Sequence, residues 1–272
     1  MLNAEDPRVA TLATTLAGRD VWTTSASPSV PARARVRQAE CTLAGTRAVL
    51  DLDGTSVAVH SRLVGAANLA NMLSVAALAF GLGVDAEAIS AGLSGCLPVP
   101  GRMERVHAAR GQGAAAAAGG PACFVDYAHT PEGLEVALEA CRRLVGPGRV
   151  LCVFGCGGDR DPGKRPLMGA VAARLADVVV VTSDNPRSED PAAIAAAVVA
   201  GIDGTPDGGP QVVLDRAEAI ASAVAQARPG DLVLVAGKGH ETSQTTGAGS
   251  VPFDDRQVAT DALADRFGEA AR

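Results

Sequence analysis

VLCVFGCGGDRDPGKRP, residues 150–166, is an unbroken apolar run that stops abruptly in a polar, glycine-rich stretch. The apolar part, Val150–Phe154, is strand length and too short for a helix, and its lack of alternation means that both faces must be covered. The same pattern recurs on either side. Apolar runs at Cys123–Tyr127, Val178–Thr182, Val212–Leu214 and Leu232–Ala236 are separated by helical stretches, with Gly, Asp or Pro at the junctions. Short strands alternating with helices make parallel β-α-β units. Residues 101–272 are therefore expected to form an α/β domain of the Rossmann-like, doubly wound kind around a mainly parallel sheet.

Upstream the pattern is different. Val21–Ser25, Ala34–Ala39 and Arg47–Leu52 read as strands, with Asp53 and Gly54 supplying a hairpin turn, so a small mixed sheet is expected. Leu69, Met72, Leu73, Ala76 and Ala77 recur at helical spacing over Ala66–Phe80, and Val84–Leu93 gives a shorter helix. Pro98, Pro100 and Gly101 end that region, which places a domain boundary near residue 100. Residues 111–120, GQGAAAAAGG, offer nothing large to bury and read as a surface loop or hinge extension.

The 272 residues are 47% hydrophobic but only 3% aromatic, so the core must be built from small aliphatic side chains between closely spaced layers. The net charge of -6 and the scatter of Lys and Arg argue against a nucleic-acid partner. No signal segment or membrane-length apolar run is present, so no membrane partner and a cytoplasmic location are expected. Six cysteines without a CxxC pair read as reduced, mostly buried thiols; Cys152 and Cys156 could be read as a metal or redox pair, but an apolar strand places them as core.

In doubly wound sheets, ligands bind beyond the carboxyl ends of the strands. Four of the five expected strands run there into DYAHTP (126–131), GCGGDRDPGKRP (155–166), SDNPR (183–187) and GKGHE (237–241). One rim thus collects the cations Arg160, Lys164, Arg165, Arg187 and Lys238, the anions Asp126, Asp159, Asp161, Asp184 and Glu241, and His129 and His240. Taken singly, such residues serve as helix caps and turn formers. Together they suit a zwitterion: a guanidinium such as Arg187 grips a carboxylate with two hydrogen bonds, while Asp184 or Glu241 accepts from an ammonium. Gly158–Lys164 fits GxxxxGK, but Arg165 stands where a phosphate loop needs Ser or Thr, and Gly155, Gly157 and Gly158 do not make GxGxxG.

GRMERV, VDYAHTPEGLE, VFGCGGDRDPGKRPLMG, TSDNPRSEDP and VLVAGKGHE, in that order, resemble the C-terminal domain of the diaminopimelate-adding Mur ligases. GAANLANMLSVAALAFGLG is similar to the helix that closes the family's central ATPase domain, and LNAEDP looks like a turn within it. The resemblance implies that residues 1–100 are the C-terminal part of that ATPase domain and 101–272 the amino-acid-binding domain. It also implies an ATP- and Mg2+-dependent ligation of meso-diaminopimelate to UDP-MurNAc-L-Ala-D-Glu through an acyl phosphate. Carried over by motif, Arg160, Asp184, Asn185, Pro186, Arg187, Gly237 and Glu241 are expected to contact diaminopimelate. Arg102, Asp126 and His129 are expected to face the nucleotide, with Asn68 and Asn71 on the adenine side.

The family's phosphate loop, its carbamylated lysine and its UDP-holding domain have no counterpart in the sequence. ATP and Mg2+ are therefore expected to be held by a segment outside it, and the first hundred residues are expected to expose an unpaired sheet edge. A complementary chain and a truncated gene product are both open as explanations. A non-catalytic diaminopimelate-binding module is the alternative function.

Overall fold

The computed structural model describes residues 1–16, 18–108, 120–204 and 208–267, so that nearly all of the expected alanine-glycine loop lies outside the described residues. Two compact units divide the chain, Met1–Pro98 and Val99–Arg272.

The first unit contains β1 (Leu2–Asn3), α1 (Pro7–Thr15), β2 (Thr23–Ser25), β3 (Ala34–Thr42), β4 (Gly45–Leu52), β5 (Thr55–Ser61), α2 (Ala66–Gly81) and α3 (Ala86–Gly95). Its sheet runs β1-β2-β3-β4-β5, parallel through β3 and antiparallel beyond it, which is the mixed sheet the sequence implied. Asp53 and Gly54 both take positive φ in the β4–β5 turn, as a tight hairpin requires. Val57 and Val59 of β5 join Leu50, Leu52 and the buried stripe Leu69, Met72, Leu73, Ala76 and Ala77 of α2 in one core. LNAEDP is more than a turn: Asp6 caps α1 by accepting from Arg8 N and Val9 N, with Pro7 at the first helical position.

The second unit contains β6 (Glu104–Val106), β7 (Ala122–Asp126), α4 (Pro131–Val145), β8 (Val150–Phe154), α5 (Lys164–Leu175), β9 (Val178–Val181), α6 (Pro191–Val199), β10 (Gln211–Val212), α7 (Arg216–Gln226), β11 (Leu232–Ala236), β12 (Ser243–Thr246), β13 (Gly249–Pro252) and α8 (Asp255–Phe267). The main sheet runs β10-β9-β8-β11-β7-β6 and is parallel except for β6. α7 and α8 pack together, as do α4 with α5 and α5 with α6. Val125, Val153, Val180 and Val235 share a core with Ile220, Val224 and Leu263 from α7 and α8. β7, β8 and β11 are buried at every residue, which is why they lack alternation.

Register decides where the loops emerge. Asp126 pairs with Ala236, Ala236 with Phe154, and Phe154 with Val181, so four neighbouring strands end level. The segments starting at Tyr127, Gly155, Thr182 and Gly237 therefore leave the sheet side by side. Cys123, Cys141, Cys152 and Cys156 are buried and all six cysteines are free. Burial pushes the Cys152 thiol up to about 12 and the Cys156 thiol up to about 11, which removes reactive thiolate at neutral pH.

Candidate functional site

Asn185 sits at the centre of the rim. Its Nδ2 donates to Glu241 Oε2 at 2.9 Å, and its Oδ1 accepts from Lys238 Nζ at 3.0 Å and Thr245 N at 2.9 Å. Lys238 also donates to Glu241 Oε2 at 3.2 Å. Its side chain is 0% exposed, so it braces the site from beneath and is no free rim cation. Burial pushes the Glu241 carboxyl up, but the Asn185 amide, the Lys238 ammonium and the Arg187 charge outweigh this and hold it below its ordinary value. A half-buried, ionised carboxylate is the partner an ammonium needs.

Arg187 has a left-handed backbone, φ 52°, which is strained for a non-glycine residue. Its amide donates to Thr245 O at 3.1 Å across the β12–β13 hairpin, and Gln244 Nε2 donates to Asp184 O at 2.7 Å, so the hairpin clamps the SDNPR turn. The guanidinium Nη1 donates to Gly158 O at 2.6 Å and, more weakly, to Asn185 O at 3.5 Å. Among the described residues no hydrogen bond reaches Nη2 or Nε, leaving one edge of the fork for a ligand.

The GCGGDRDPGKRP loop packs against this turn. A Cβ at Gly158 would lie 2.0 Å from Pro186 O, so only glycine fits there, while beside Gly157 lie both Arg187 Nη1 and the Arg160 stem. Arg160 is exposed, its Nη1 donating to Asp159 O. Arg165 is buried and paired with Glu189 at 2.8 Å, and Glu189 also accepts from Asp159 N. Gly158 N donates to Asn185 O, Gly163 N to Asp161, and Lys164 Nζ to His129 O. The Gly158, Asp159 and Gly163 amides and the Lys164 ammonium are thus occupied, in keeping with Arg165 at the wrong position for a phosphate loop.

At the other edge of the rim, Asp126 accepts from Met103 N at 2.7 Å and Ala128 N at 2.8 Å; its pKa is raised by burial, against the opposing pull of those amides and Arg102. Arg102 lies 4.7 Å above the Tyr127 ring, which also meets the His129 and His240 rings at 4.5 and 5.0 Å. His129 Nδ1 is bonded to Tyr127 O. Asn68 and Asn71 belong to the first unit: Asn68 Nδ2 turns back onto Val64 O at 2.8 Å, and Asn71 is exposed on α2.

Within the second unit, then, Asp184, Asn185, Pro186, Arg187, Gly237 and Glu241 are brought together, with Arg160 beside Arg187. A Cβ at Gly237, φ 117°, would lie 2.6 Å from Asp184 Oδ2, which fixes that loop against the carboxylate. Gln244, Thr245, Arg216 and Asp255 lie outside the motifs of the sequence, and GKGHE does not by itself show that Lys238 braces the site. Arg216 is fully buried and bonded to Ser183 O, Ala236 O and Asp255. A lone Arg at a helix start gives no hint of this, although GKGHE did draw attention to Lys238. Among the described residues no group of three or more His, Cys, Asp or Glu could hold a metal ion.

The second unit is a mainly parallel sheet with charged loops at one rim, and residues 101–239 match the family model described as Mur ligase, glutamate ligase domain. The chain belongs to the Mur ligase family. It is 48% identical to the UDP-N-acetylmuramoyl-L-alanyl-D-glutamate–2,6-diaminopimelate ligase of Gloeobacter violaceus over 267 residues, 98% of this chain and 51% of that protein. The ligase of the same name from Synechococcus sp. is 55% identical over 204 residues, 75% of this chain and 40% of that protein. A solved structure of a ligase of this name aligns with TM-score 0.66 and 34% identity, covering 97% of this chain and 52% of that one. The chain spans about half the length of the curated relatives it matches.

Proposed function

We propose that this chain receives the amino acid in an ATP-dependent ligation that joins meso-diaminopimelate to UDP-MurNAc-L-Ala-D-Glu in peptidoglycan synthesis. The observation that carries the reading is the pairing of opposite charges around Asn185: an ionised Glu241 on one side and the open edge of Arg187 on the other. Diaminopimelate presents an ammonium and a carboxylate at each end, and lysine lacks one carboxylate. Arg187 holds the distal carboxylate with two parallel hydrogen bonds, Glu241 and Asp184 accept from the ammonium, and Arg160 contributes a second cation. Pro186 and Gly237 shape the wall, and fixing the diamino acid in one orientation aims its other amine at the acyl group.

In this reading ATP activates the D-glutamyl carboxylate, but the described residues make neither a phosphate loop nor a metal cluster, and no phosphoryl step is assigned to them. Arg102 and His129, with exposed groups beside Tyr127, are the proposed nucleotide-facing residues. Asp126, also proposed there, bonds the backbone through both carboxylate oxygens, and in the first unit Asn68, whose Nδ2 bonds Val64 O, and Asn71 are proposed for the adenine side. Mg2+, a cytoplasmic setting and a complementary chain belong to the same proposal. Among the described residues no helix is long and apolar enough to cross a membrane.

Calorimetric titration of the chain with meso-diaminopimelate, lysine and ATP tests the reading. Preference for diaminopimelate over lysine is expected; equal affinity, or none for either, overturns it. Recovery of ligation on mixing with a complementary chain would separate a ligase part from a binding module.

A further inference from the structure

Arg216 opens α7 and Asp255 opens α8, and both side chains are 0% exposed. Nε and Nη2 of Arg216 donate to Oδ1 and Oδ2 of Asp255, each at 2.7 Å, a two-pronged pair that occupies one edge of the guanidinium. The remaining donors reach outward. Nη1 donates to Ser183 O at 3.2 Å, and Nη2 donates to Ala236 O at 3.0 Å. Ser183 immediately precedes Asp184 of the SDNPR turn, and Ala236 immediately precedes Gly237 of the GKGHE loop.

We infer that the Arg216–Asp255 pair is the positioning element of the amino-acid site, fixing the loop that carries Arg187 relative to the loop that carries Glu241. The inference rests on the function proposed above for those two loops. One planar group holds the last peptide before each of them, so the separation of the two ligand-binding ends is set by a rigid fork. No flexible side chain intervenes.

Two considerations favour positioning over simple stabilisation. A buried ion pair gains little net stability over well-packed apolar residues of the same volume, because desolvation offsets the attraction. Its use at the root of both loops is therefore better explained by the geometry it imposes. The pair is also electrically coupled to the site. Burial pulls the Arg216 pKa down, but Asp255, and beyond it Asp184 and Glu241, raise it overall, so the guanidinium stays charged and its ion pair with Asp255 holds. Lys238 and Arg187 are the other cations facing Glu241.

The test uses the full chain carrying Arg216→Lys, which keeps the charge and loses the fork, and a double variant, Arg216→Met with Asp255→Leu, which removes both charges and fills the space. Amide hydrogen exchange is read at residues 183–187 and 237–241 against β7, β8 and β11, and affinities for meso-diaminopimelate and lysine are measured on the same samples. The expected result is faster exchange in both loops together with protected strands, and a loss of diaminopimelate affinity of about tenfold or more while lysine binding is unchanged. Unchanged loop exchange, or an equal loss for both ligands, overturns the inference, as does general exposure of the strands in the double variant, which would show that the pair serves the fold. If the unaltered chain binds neither amino acid, the functional reading fails while the exchange result still decides whether the pair orders the loops.

Discussion

Asn185 and Glu241 stand 56 positions apart in the chain and are joined side chain to side chain, Nδ2 donating to Oε2 at 2.9 Å. The amide is suited to this place because it offers a donor to one carboxylate while its oxygen accepts from Lys238 and Thr245. Asn185→Asp would replace the amide donor to Glu241 by a second carboxylate, which repels Glu241 and competes with it for Lys238. Diaminopimelate affinity at pH 7 is expected to fall by about tenfold to a hundredfold in calorimetry, the scale of a lost charge-assisted hydrogen bond. An unaltered affinity would remove Glu241 from the ligand contacts.

Arg187→Lys keeps a positive charge but cannot reproduce both the bond to Gly158 O and a two-pronged grip on a carboxylate. The variant is expected to bind meso-diaminopimelate and lysine equally well, with a loss of about 1.5 to 3 kcal/mol confined to diaminopimelate. Competition between the two ligands measures this directly. Retained discrimination would place the selecting group elsewhere.

Glu241 carries a pH prediction whose sign follows from its surroundings. Burial opposes ionisation, yet Asn185, Lys238 and Arg187 together depress the folded-state pKa below the ordinary 4.5. A depressed carboxyl contributes stability that is complete above the unfolded value and lost as pH falls through the folded one. The carboxyl carbon of Glu241, followed by NMR, should titrate with a midpoint below 4.5, and in Asn185→Ala the midpoint should move upward. A midpoint above 4.5 in the unaltered chain would contradict the bracing role of Lys238.

The parts of this molecule that were legible in its sequence are those whose burial leaves a pattern. Val150–Phe154 and Leu232–Ala236 are strands over the whole expected range because every residue is covered on both faces. Val212–Leu214 was displaced, the strand being Gln211–Val212, since this edge position leaves Val212 half exposed and the apolar run is no guide to pairing. β12 and β13 carry no burial pattern: SQTT is nowhere buried and GSVP is exposed throughout, and they hold their shape by pairing with each other and clamping SDNPR. β5 does carry alternation at Val57 and Val59, while α1 has no buried residue and is marked only by its Asp6-Pro7 cap. In the candidate site the rim loops are readable from motif, whereas Arg216 and Asp255 are not. A buried ion pair between distant helix starts has no local signature, and the same letters at exposed positions would be ordinary surface charge.

Gly237 has φ 117°, and a Cβ there would approach Asp184 Oδ2 to 2.6 Å. Gly237→Ala must therefore shift either the GKGHE loop or the Asp184 carboxylate, at a cost of about 1 to 3 kcal/mol for the strained backbone alone. Reduced thermal stability together with weakened diaminopimelate binding is expected. Loss of stability with full binding would separate Asp184 from the ligand.

Asp126→Asn sets two effects against each other. Burial raises the Asp126 pKa, so its contribution to stability is full below the ordinary 3.8 and declines as pH rises through the folded value; removing the charge abolishes that decline. But the two carboxylate oxygens each accept a backbone amide, from Met103 and from Ala128, and Met103 is held at φ 45°. An asparagine has one acceptor oxygen, so one of these buried amides would face an NH2 group. An unpaired buried donor costs about 1 to 3 kcal/mol, and the variant is expected to be less stable by that amount in urea denaturation at pH 7. Equal or greater stability would show that desolvation of the carboxylate, and not its service to the backbone, governs this corner of the rim.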